Sequence, residues 1–362
     1  MFSIVKISEE FVLSILICFY VAFFSVVSFL KFDSFSYRDY DLAFFDQIVW
    51  NILHGSLFSS ILGIVFLGNH VQLIWFLVAP LYWVFSHPMT LLFLQSFALG
   101  LAACPLYFLA KKTLGPRWGV LIGAIYLTYP AVAYLNLFEF HPAAFLPLFL
   151  FSTIYYFHTQ RYWSFLLFLL LAVSCQENIA LAALGMGFYA FCRRRSFRWV
   201  VLPIVFAVVY LWFCLRVVIP NFNEDTSQFL ALYKHLGNTP SEVILNFFKQ
   251  PVSVFRFMLS EPRLFYLISL FGPLAFIPLL SPLPLLAALP LFAQHLLSSR
   301  ASQFMIQYHY TAELIPFIFV SFVFGIKTML KVKLLYRYRG VLVTAILVCF
   351  LAFSYFLGPL FT

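Results

Sequence analysis

The residues able to do acid–base or ligand chemistry are few in this chain, and they fall in short polar stretches between long apolar runs. Only 10% of the 362 residues are charged. The polar stretches contain these carboxylates, imidazoles and one phenol: Asp39, Asp41, Asp46, His54, His70, Glu139, His141, Glu177, His309, Tyr310 and Glu313. Carboxylates and imidazoles act as general acids and bases, and they can hold a divalent metal. The metal signal from these residues is weak, so the metal content stays open.

Ionisable groups flanked by apolar runs are candidates for function, because a charge at membrane depth needs a partner or a wet cavity. Glu177, between two apolar runs, is the strongest such case. Asp46 could instead be a solvated residue or one that orients its helix. His54 could instead be a surface histidine. His70 and His141 could equally cap helices or bond to a backbone carbonyl.

The composition is that of an integral membrane protein. Hydrophobic residues make up 64% of the chain, and apolar runs long enough to cross a bilayer recur throughout. We interpret the net charge of +9 as a topology signal rather than as nucleic-acid binding, since no soluble basic domain is present. The six cysteines lie in apolar segments without a C-x-x-C pair, which predicts packing roles rather than disulfides or a zinc site.

Clusters of Lys and Arg predict the topology, because short loops rich in these residues stay in the cytoplasm. The clusters lie at 111–117, 193–198 and 327–339, with Lys6 and Arg161 in addition. One arrangement keeps all of them cytoplasmic, together with the N-terminus. Its eleven or so helices lie at residues 11–30, 89–110, 118–135, 142–157, 162–175, 179–192, 199–218, 264–280, 283–298, 310–327 and 340–359. The sequence therefore predicts an all-α, polytopic protein of the cytoplasmic (inner) membrane, with residues 1–362 forming one transmembrane domain.

The apolar segment 70–85 decides this topology. If it crossed the membrane, the basic loop 111–117 would face outward. The segment is short for a span and contains Pro80, so we predict a re-entrant or interfacial course on the outer face. The alternative is a short true span with one later helix that fails to cross.

Two long outer segments result, at about residues 31–88 and 219–263. In the first, apolar residues recur at helical spacing between Phe44 and Leu53, and Gly55 can end that helix. In the second, Thr239 to Glu242 has the pattern of a capping box before an amphipathic stretch that runs to Leu259. Both helices are expected to lie along the membrane surface.

Short motifs occur in order along nearly the whole chain. They are Tyr37-Arg-Asp-Tyr-Asp-Leu-Ala-Phe-Phe-Asp-Gln47, Trp50-Asn51, Gly55, Gly68-Asn-His70, Ala79-Pro-Leu-Tyr82, Leu94-Gln95, Pro105-Leu-Tyr107, Glu139-Phe-His-Pro142, Gln176-Glu-Asn178, Leu279-Leu-Ser-Pro282, Tyr308-His-Tyr310 and Pro316. This set resembles a family of uncharacterised bacterial and archaeal polytopic membrane proteins, a domain of unknown function. That family is in turn similar to the GT-C glycosyltransferases.

The resemblance implies an enzyme that uses a polyprenyl-phosphate-linked sugar at the outer membrane face, with an essential acid in a long first outer loop. Asp41 matches that acid, with Asp39 as its neighbour, and Glu139 with His141 matches the second acidic motif. The family's second motif usually reads Asp-Phe-His-Pro-Glu, where this chain has Glu-Phe-His-Pro-Ala. The later motif usually reads Lys-Glu-Asp, where this chain has Gln-Glu-Asn at 176–178. These departures remove a lysine contact to phosphate and two acids of any metal site.

The function that follows is an inverting glycosyl transfer, in which Asp41 deprotonates the attacking hydroxyl. Residues expected to bind the donor and its leaving phosphate are Arg38, His70, Glu177, His309 and Tyr310. One alternative is a transporter of a lipid-linked or small polar substrate, although the internal repeat typical of transporters is missing. Another is a non-catalytic scaffold. The lipid bilayer is the expected partner, no cofactor is required with certainty, and the sequence predicts no oligomeric state.

Overall fold

A computed structural model describes residues 8–37, 40–224 and 227–359, which form an all-α protein with one short β-hairpin. The first helices are α1 (Glu9–Asp33), α2 (Asp41–Leu53), α3 (Trp75–Val78), α4 (Pro88–Leu101), α5 (Ala103–Leu114), α6 (Pro116–Leu127), α7 (Pro130–Leu137), α8 (Leu146–His158), α9 (Tyr162–Cys175) and α10 (Ala180–Cys192). The others are α11 (Phe197–Phe213), α12 (Ile219–Phe222), α13 (Ser227–Ala231), α14 (Pro240–Lys249), α15 (Pro251–Met258), α16 (Glu261–Phe271), α17 (Leu283–Ala287), α18 (Leu289–Leu297), α19 (Ile315–Met329), α20 (Lys333–Arg337) and α21 (Arg339–Leu357). The hairpin pairs β1 (Phe58–Ser59) with β2 (Ile64–Val65) in antiparallel register.

Within the described residues, four helical segments are long and apolar enough to cross a membrane: α1, Pro88–Leu114, Phe197–Phe222 and α21. The pair α6–α7, bent by 47°, is a fifth if it counts as one span. The all-α membrane class is confirmed, whereas the predicted count of eleven spans is not. Several of the other predicted spans are short helices, and α8 and α10 have 13 residues each. That length gives about 20 Å of helix, against a hydrocarbon core of about 30 Å.

Prolines break the predicted span 264–280. Helix α16 ends at Phe271, and two turns of 3-10 helix follow, at Gly272–Leu274 and Ile277–Leu280. Between these turns Ala275 and Phe276 have left-handed backbone conformations, with φ of 52° and 56°. Proline has no N–H to continue a helix. An apolar run that is continuous in sequence therefore forms a helix that is interrupted at Phe271 and followed by 3-10 turns.

The bundle has two chemically different ends. At one end Lys111 forms an ion pair with Glu10. The cationic groups that face His158 at this same end come from three loops: Lys112, Arg193, Arg195 and Lys327. We call this the basic end, and the opposite end, where α8, α10 and α19 begin, the polar end. The basic loops that the sequence analysis placed on one side of the membrane thus meet in space.

The segment 70–85 contains only the one-turn helix α3 and a 3-10 turn, Ala79–Trp83. Near its start the N–H of Ile74 donates to the carbonyl of Ser174 at 2.9 Å. Near its end the Tyr82 hydroxyl donates to Asp46 of α2 at 2.7 Å. Both ends of the segment therefore lie at the polar end of the bundle. Among the described residues this stretch holds no helix long enough to span a membrane.

Helices are present where the sequence predicts them, in residues 31–88 and 219–263. Helix α2 ends one residue before His54, and Gly55 follows with φ of 75°. At the start of α14 the Thr239 hydroxyl accepts from the N–H of Glu242 at 3.2 Å, and the Glu242 carboxylate accepts from the N–H of Asn238 at 2.8 Å. These two bonds satisfy backbone donors that the first helical turn leaves unpaired.

Two glycines of α10 allow other backbones to approach closely, as small residues do at helix interfaces. A Cβ on Gly185 would lie 1.7 Å from the carbonyl oxygen of Ala287 in α17. A Cβ on Gly187 would lie 2.5 Å from the Ile204 side chain of α11. Helix α10 is thereby held directly against α17 and α11.

We predict that Gly185→Ala lowers the thermal midpoint of the detergent-solubilised protein, because the added methyl overlaps backbone that cannot move aside. The expected loss is about 1–3 kcal/mol of unfolding free energy. Gly340→Ala is the matched control, since no atom lies within 4 Å of its added Cβ and alanine favours a helix. Equal midpoints for the two variants would contradict the close packing.

Candidate polar site

Polar side chains from five separate stretches of the chain lie together at the polar end. The stretches are 41–42, 70–71, 139–141, 177–178 and 309–313. The rings of His141 and His309, which belong to two of these stretches, are stacked. Both rings also lie close enough to His70 to interact with it electrostatically. Residues far apart in sequence therefore share one site, which we call the polar site.

Glu139 joins the first outer segment to the turn after α7. Its carboxylate accepts from the N–H of Leu42 at 2.8 Å, at the first turn of α2. A carboxylate at a helix N-terminus satisfies an unpaired donor and meets the positive end of the helix dipole. Glu139 is only 4% exposed. Lys31 lies close by and donates to the carbonyl of Leu137 at 2.5 Å.

Asp41 is the first residue of α2, so it lies beside the bond between Leu42 and Glu139. Its side chain is partly exposed, unlike that of Glu139. The two carboxylates matched to the family's acidic motifs are thus neighbours. Arg38 and Asp39, the other sequence candidates in this loop, lie outside the described residues.

His141 and His309 stack face to face, with ring centroids 3.5 Å apart and planes 8° from parallel. The Nδ1 atom of His141 accepts from the N–H of Ala143 at 3.2 Å and so caps the turn Pro142–Phe145. The helix-capping alternative is therefore confirmed for His141. Because its Nδ1 accepts, its Nε2 carries the proton when the ring is neutral.

This stack is neutral at physiological pH. Burial, together with the nearby His70, His295 and Arg300, lowers the pKa of His309 to about 3. Burial, with His309 and His70 beside it, also holds the pKa of His141 well below its usual value. Two imidazolium ions in contact would repel, and burial disfavours each charge. The pair can therefore offer N–H donors and ring acceptors but not positive charge.

His70 and Glu177 form a second pair, in which Glu177 is buried and His70 is partly exposed. The Nδ1 atom of His70 lies 2.8 Å from Oε1 of Glu177, whose Oε2 accepts from the N–H of Val71 at 2.9 Å. Burial by itself would raise the pKa of Glu177, but the His70 ring and the backbone donors outweigh it, and the pKa lies below its ordinary value. Glu177 is therefore an ionised carboxylate inside an apolar bundle.

A third buried network was only partly predicted. Glu313 bonds to His295 at 2.9 Å and accepts from Asn178 at 3.1 Å, while the Tyr266 hydroxyl lies 2.8 Å from the other nitrogen of His295. Glu313 is a candidate from the sequence. Its partners His295, Asn178 and Tyr266 are found only in the structure. His295 falls inside the predicted span 283–298, so the rule for ionisable groups at membrane depth could have found it.

The turn that carries Glu139 and His141 rests on a buried amide network. Gln95 accepts from the N–H of His141 at 3.2 Å and donates to the carbonyl of Asn136 at 3.0 Å. The Asn136 side chain accepts from Ser96 at 2.9 Å. Every one of these groups is buried. An unpaired buried amide is costly, so the network fixes the position of the turn.

Tyr310 and Arg300 stand at the exposed edge of the polar site. The Tyr310 ring lies 4.1 Å from the His309 ring, and Arg300 donates to the Tyr310 hydroxyl at 3.5 Å. Arg300 is exposed and carries a permanent charge. Sequence reasoning missed Arg300, because only the fold brings the turn after α18 next to His309.

The two remaining acid and imidazole candidates lie away from this cluster. Asp46 is bonded to Tyr82, as described above, which fits its helix-orienting alternative. His54 is exposed and bonds to the carbonyl of Trp50 at 2.7 Å. Across the described ranges no three His, Cys, Asp or Glu side chains are placed to hold a metal ion together. All six cysteines are free thiols.

We predict that Glu177→Gln lowers the thermal midpoint at neutral pH by an amount equivalent to about 2 kcal/mol. A carboxylate with a lowered pKa stabilises the fold above its ordinary value of 4.5, and this contribution is lost as pH falls through the lowered value. The difference between wild type and variant should therefore shrink below pH 4.5, measured by thermal unfolding across a pH series.

Glu261→Gln is the control for this series, because Glu261 is exposed in the first turn of α16. Its midpoint should follow that of the wild type to within a few tenths of a kcal/mol. A Glu177 variant with a pH-independent loss would show that the ionised Glu177 carboxylate is not what stabilises this region.

Comparison of the sequence with known proteins assigns the chain to a family. No curated protein and no solved structure matches it significantly. The profile of one family, described as "Predicted membrane protein (DUF2079)", matches residues 31–362. That match covers the polar site and nearly all of the helices. The chain belongs to this DUF2079 family of membrane proteins of unknown function.

Proposed function

We propose that this protein is a GT-C-like glycosyltransferase that transfers a sugar from a polyprenyl-phosphate donor at the outer face of the cytoplasmic membrane. The observation that carries the proposal is the meeting of Asp41 and Glu139 at the start of α2, one turn of chain from the stacked His141 and His309. An acid pair beside uncharged imidazole donors is suited to sugar transfer from a phosphate. The proposed topology keeps the basic end in the cytoplasm and the eleven helical crossings predicted from charge.

Asp41 is the best candidate for the general base. Glu139, Glu177 and Glu313 are each at most 5% exposed and already accept hydrogen bonds from the protein. Asp41 is partly exposed at the mouth of the site. A base must come within about 3 Å of the hydroxyl proton that it removes, and a partly exposed carboxylate is more accessible to a substrate hydroxyl than a buried one.

The transfer balances as a single displacement. Asp41 takes the proton of the acceptor hydroxyl. At the same time the oxygen of that hydroxyl forms a bond to the anomeric carbon of the sugar. The bond between that carbon and the phosphate oxygen breaks, and the lipid phosphate leaves with the electron pair. The developing phosphate charge requires donors. Arg300 supplies the charge at the exposed edge, with His70, the neutral His309 and Tyr310 as donors beside it.

The bundle also offers a place for the hydrocarbon chain of a lipid donor. A shallow trough of about 670 Å³ follows one face of α11, from Phe197 to Phe213. Its lining is almost entirely apolar, and Tyr210 lies near its end, close enough to Glu177 for electrostatic interaction. A chain in this trough would place its polar head beside the His70–Glu177 pair.

A non-catalytic scaffold is the second candidate, and the bonding of the three buried glutamates favours it. Each of these glutamates forms a hydrogen bond that links separate segments of the chain. A scaffold would need these contacts and would not need Asp41. A transporter of a lipid-linked or small polar substrate would also contain buried carboxylates and the broken helices seen at α16 to α18.

We predict that Asp41→Asn abolishes sugar transfer, with a loss of about 10²–10⁴-fold if the residue is the base. Asparagine keeps the shape and hydrogen bonding of the side chain, so membrane expression should be normal. The measurement is the glycan content of the cell envelope in a deletion strain that carries each variant.

Asp46→Asn is the matched control, since it lies one turn further along the same helix and its amide oxygen can still accept from Tyr82. Normal glycans with Asp41→Asn, where the deletion removes them, would exclude Asp41 from the mechanism. Unchanged glycans in the deletion strain itself would exclude the transferase and leave the scaffold or the transporter.

A further inference from the structure

Helices α14 and α15 present a continuous apolar face to the outside of the protein. The large side chains exposed on it are Ile244, Leu245, Phe248, Val252, Phe255 and Leu259. Apolar and polar residues are cleanly segregated around both helices, which is typical of helices that lie in a membrane interface. The apolar helix α16 follows directly, and its Leu264, Phe265 and Ile268 are exposed as well.

The opposite face of the pair is fixed to the bundle. Val254 is buried against Leu297 of α18 and Leu236. Phe257 covers the guanidinium of Arg263, which lies 3.8 Å from the ring centroid and donates to two carbonyls at the C-terminal end of α18, those of Leu296 and Ser298. The exposed face is therefore held outward by packing and is not a surface that could turn inward.

A pocket of about 350 Å³ opens at the junction of the two helices. The residues that line it are Lys249, Gln250, Pro251, Val252, Ser253 and Arg256. Two cations and a hydroxyl thus share one small concavity, and its lining contains no acid. Lys249 and Arg256 are exposed, and they border the apolar residues Phe248, Val252 and Phe255. A phosphate next to a hydrocarbon surface is the chemistry that this combination fits.

We propose that the α14–α15 pair is an interfacial anchor that binds an anionic phospholipid, with Lys249 and Arg256 on the headgroup phosphate and the apolar face among the acyl chains. The bilayer is the occupant because the adjoining helix α16 exposes its apolar side chains to the same surroundings. This anchor is separate from the polar site and does not depend on the proposed transfer reaction.

The anchor also bears on the polar site. It packs on Ala293 and Leu297 of α18. Between those two residues lie Gln294, whose carbonyl accepts from Tyr233, and His295, which holds Glu313. Binding of anionic lipid would therefore steady the helix that positions the 309–313 turn.

The test is hydrogen exchange of the full-length protein in nanodiscs of phosphatidylcholine, with or without phosphatidylglycerol. Amides of residues 243–258 should exchange about tenfold more slowly when the anionic lipid is present, since each basic residue near an anionic surface strengthens binding. The double variant Lys249→Gln with Arg256→Gln should lose this difference. Lys234→Gln with Arg216→Gln removes the same charge from exposed residues outside the pocket and should keep it.

Equal protection in the two lipid mixtures, or a pocket variant that behaves like the wild type, would overturn the anchor. Inorganic phosphate added to phosphatidylcholine discs is the third arm. Protection by phosphate alone would assign the pocket to a soluble anion and would also overturn it. Protection in phosphatidylcholine that rises with the number of protein copies per disc would assign the face to a second copy of the chain.

Discussion

The need to pair every buried carboxylate governs the polar end of this protein. Glu139, Glu177 and Glu313 are nearly inaccessible in a bundle of apolar helices, where an unpaired charge is strongly unfavourable. Each finds its partner in a distant stretch of chain: the backbone of Leu42, the ring of His70, and the side chains of His295 and Asn178. The bonds of Glu139 and Glu177 join residues 31–88 to the bundle, so satisfying these charges also assembles the site.

The same burial decides the electrical character of the stacked histidines. His141 and His309 share a contact that only uncharged rings tolerate, and the cationic groups around them reinforce the neutral state. Positive charge near the polar site comes from Arg300 at its edge and from Lys31 beside Glu139, not from the stacked rings. An anion bound here would meet the Arg300 guanidinium at the edge and the neutral imidazoles further in.

Helix length and helix breaks set the architecture. Prolines and left-handed residues interrupt the chain between α16 and α18, and helices of 13 residues such as α8 and α10 run between the basic end and the polar end. Short helices bring the polar site and the cationic loops closer together than full spans would. Close backbone contacts, such as that of Gly185 with Ala287, hold the segment of broken helices against the regular helices. This packing stabilises a segment that has few helical hydrogen bonds of its own.

The sequence by itself determined the membrane class, the grouping of the basic loops, and local features such as the capping box at Thr239 and the helix that begins at Asp41. These depend on composition, charge and near neighbours in the chain, which a sequence displays directly. Only the tertiary structure decided which carboxylate binds which donor, that His141 and His309 stack, and that Arg300 borders the site. Those contacts join residues many positions apart. The predicted count of eleven spans is not confirmed, because hydropathy measures apolar character, whereas proline and backbone conformation decide where a helix ends.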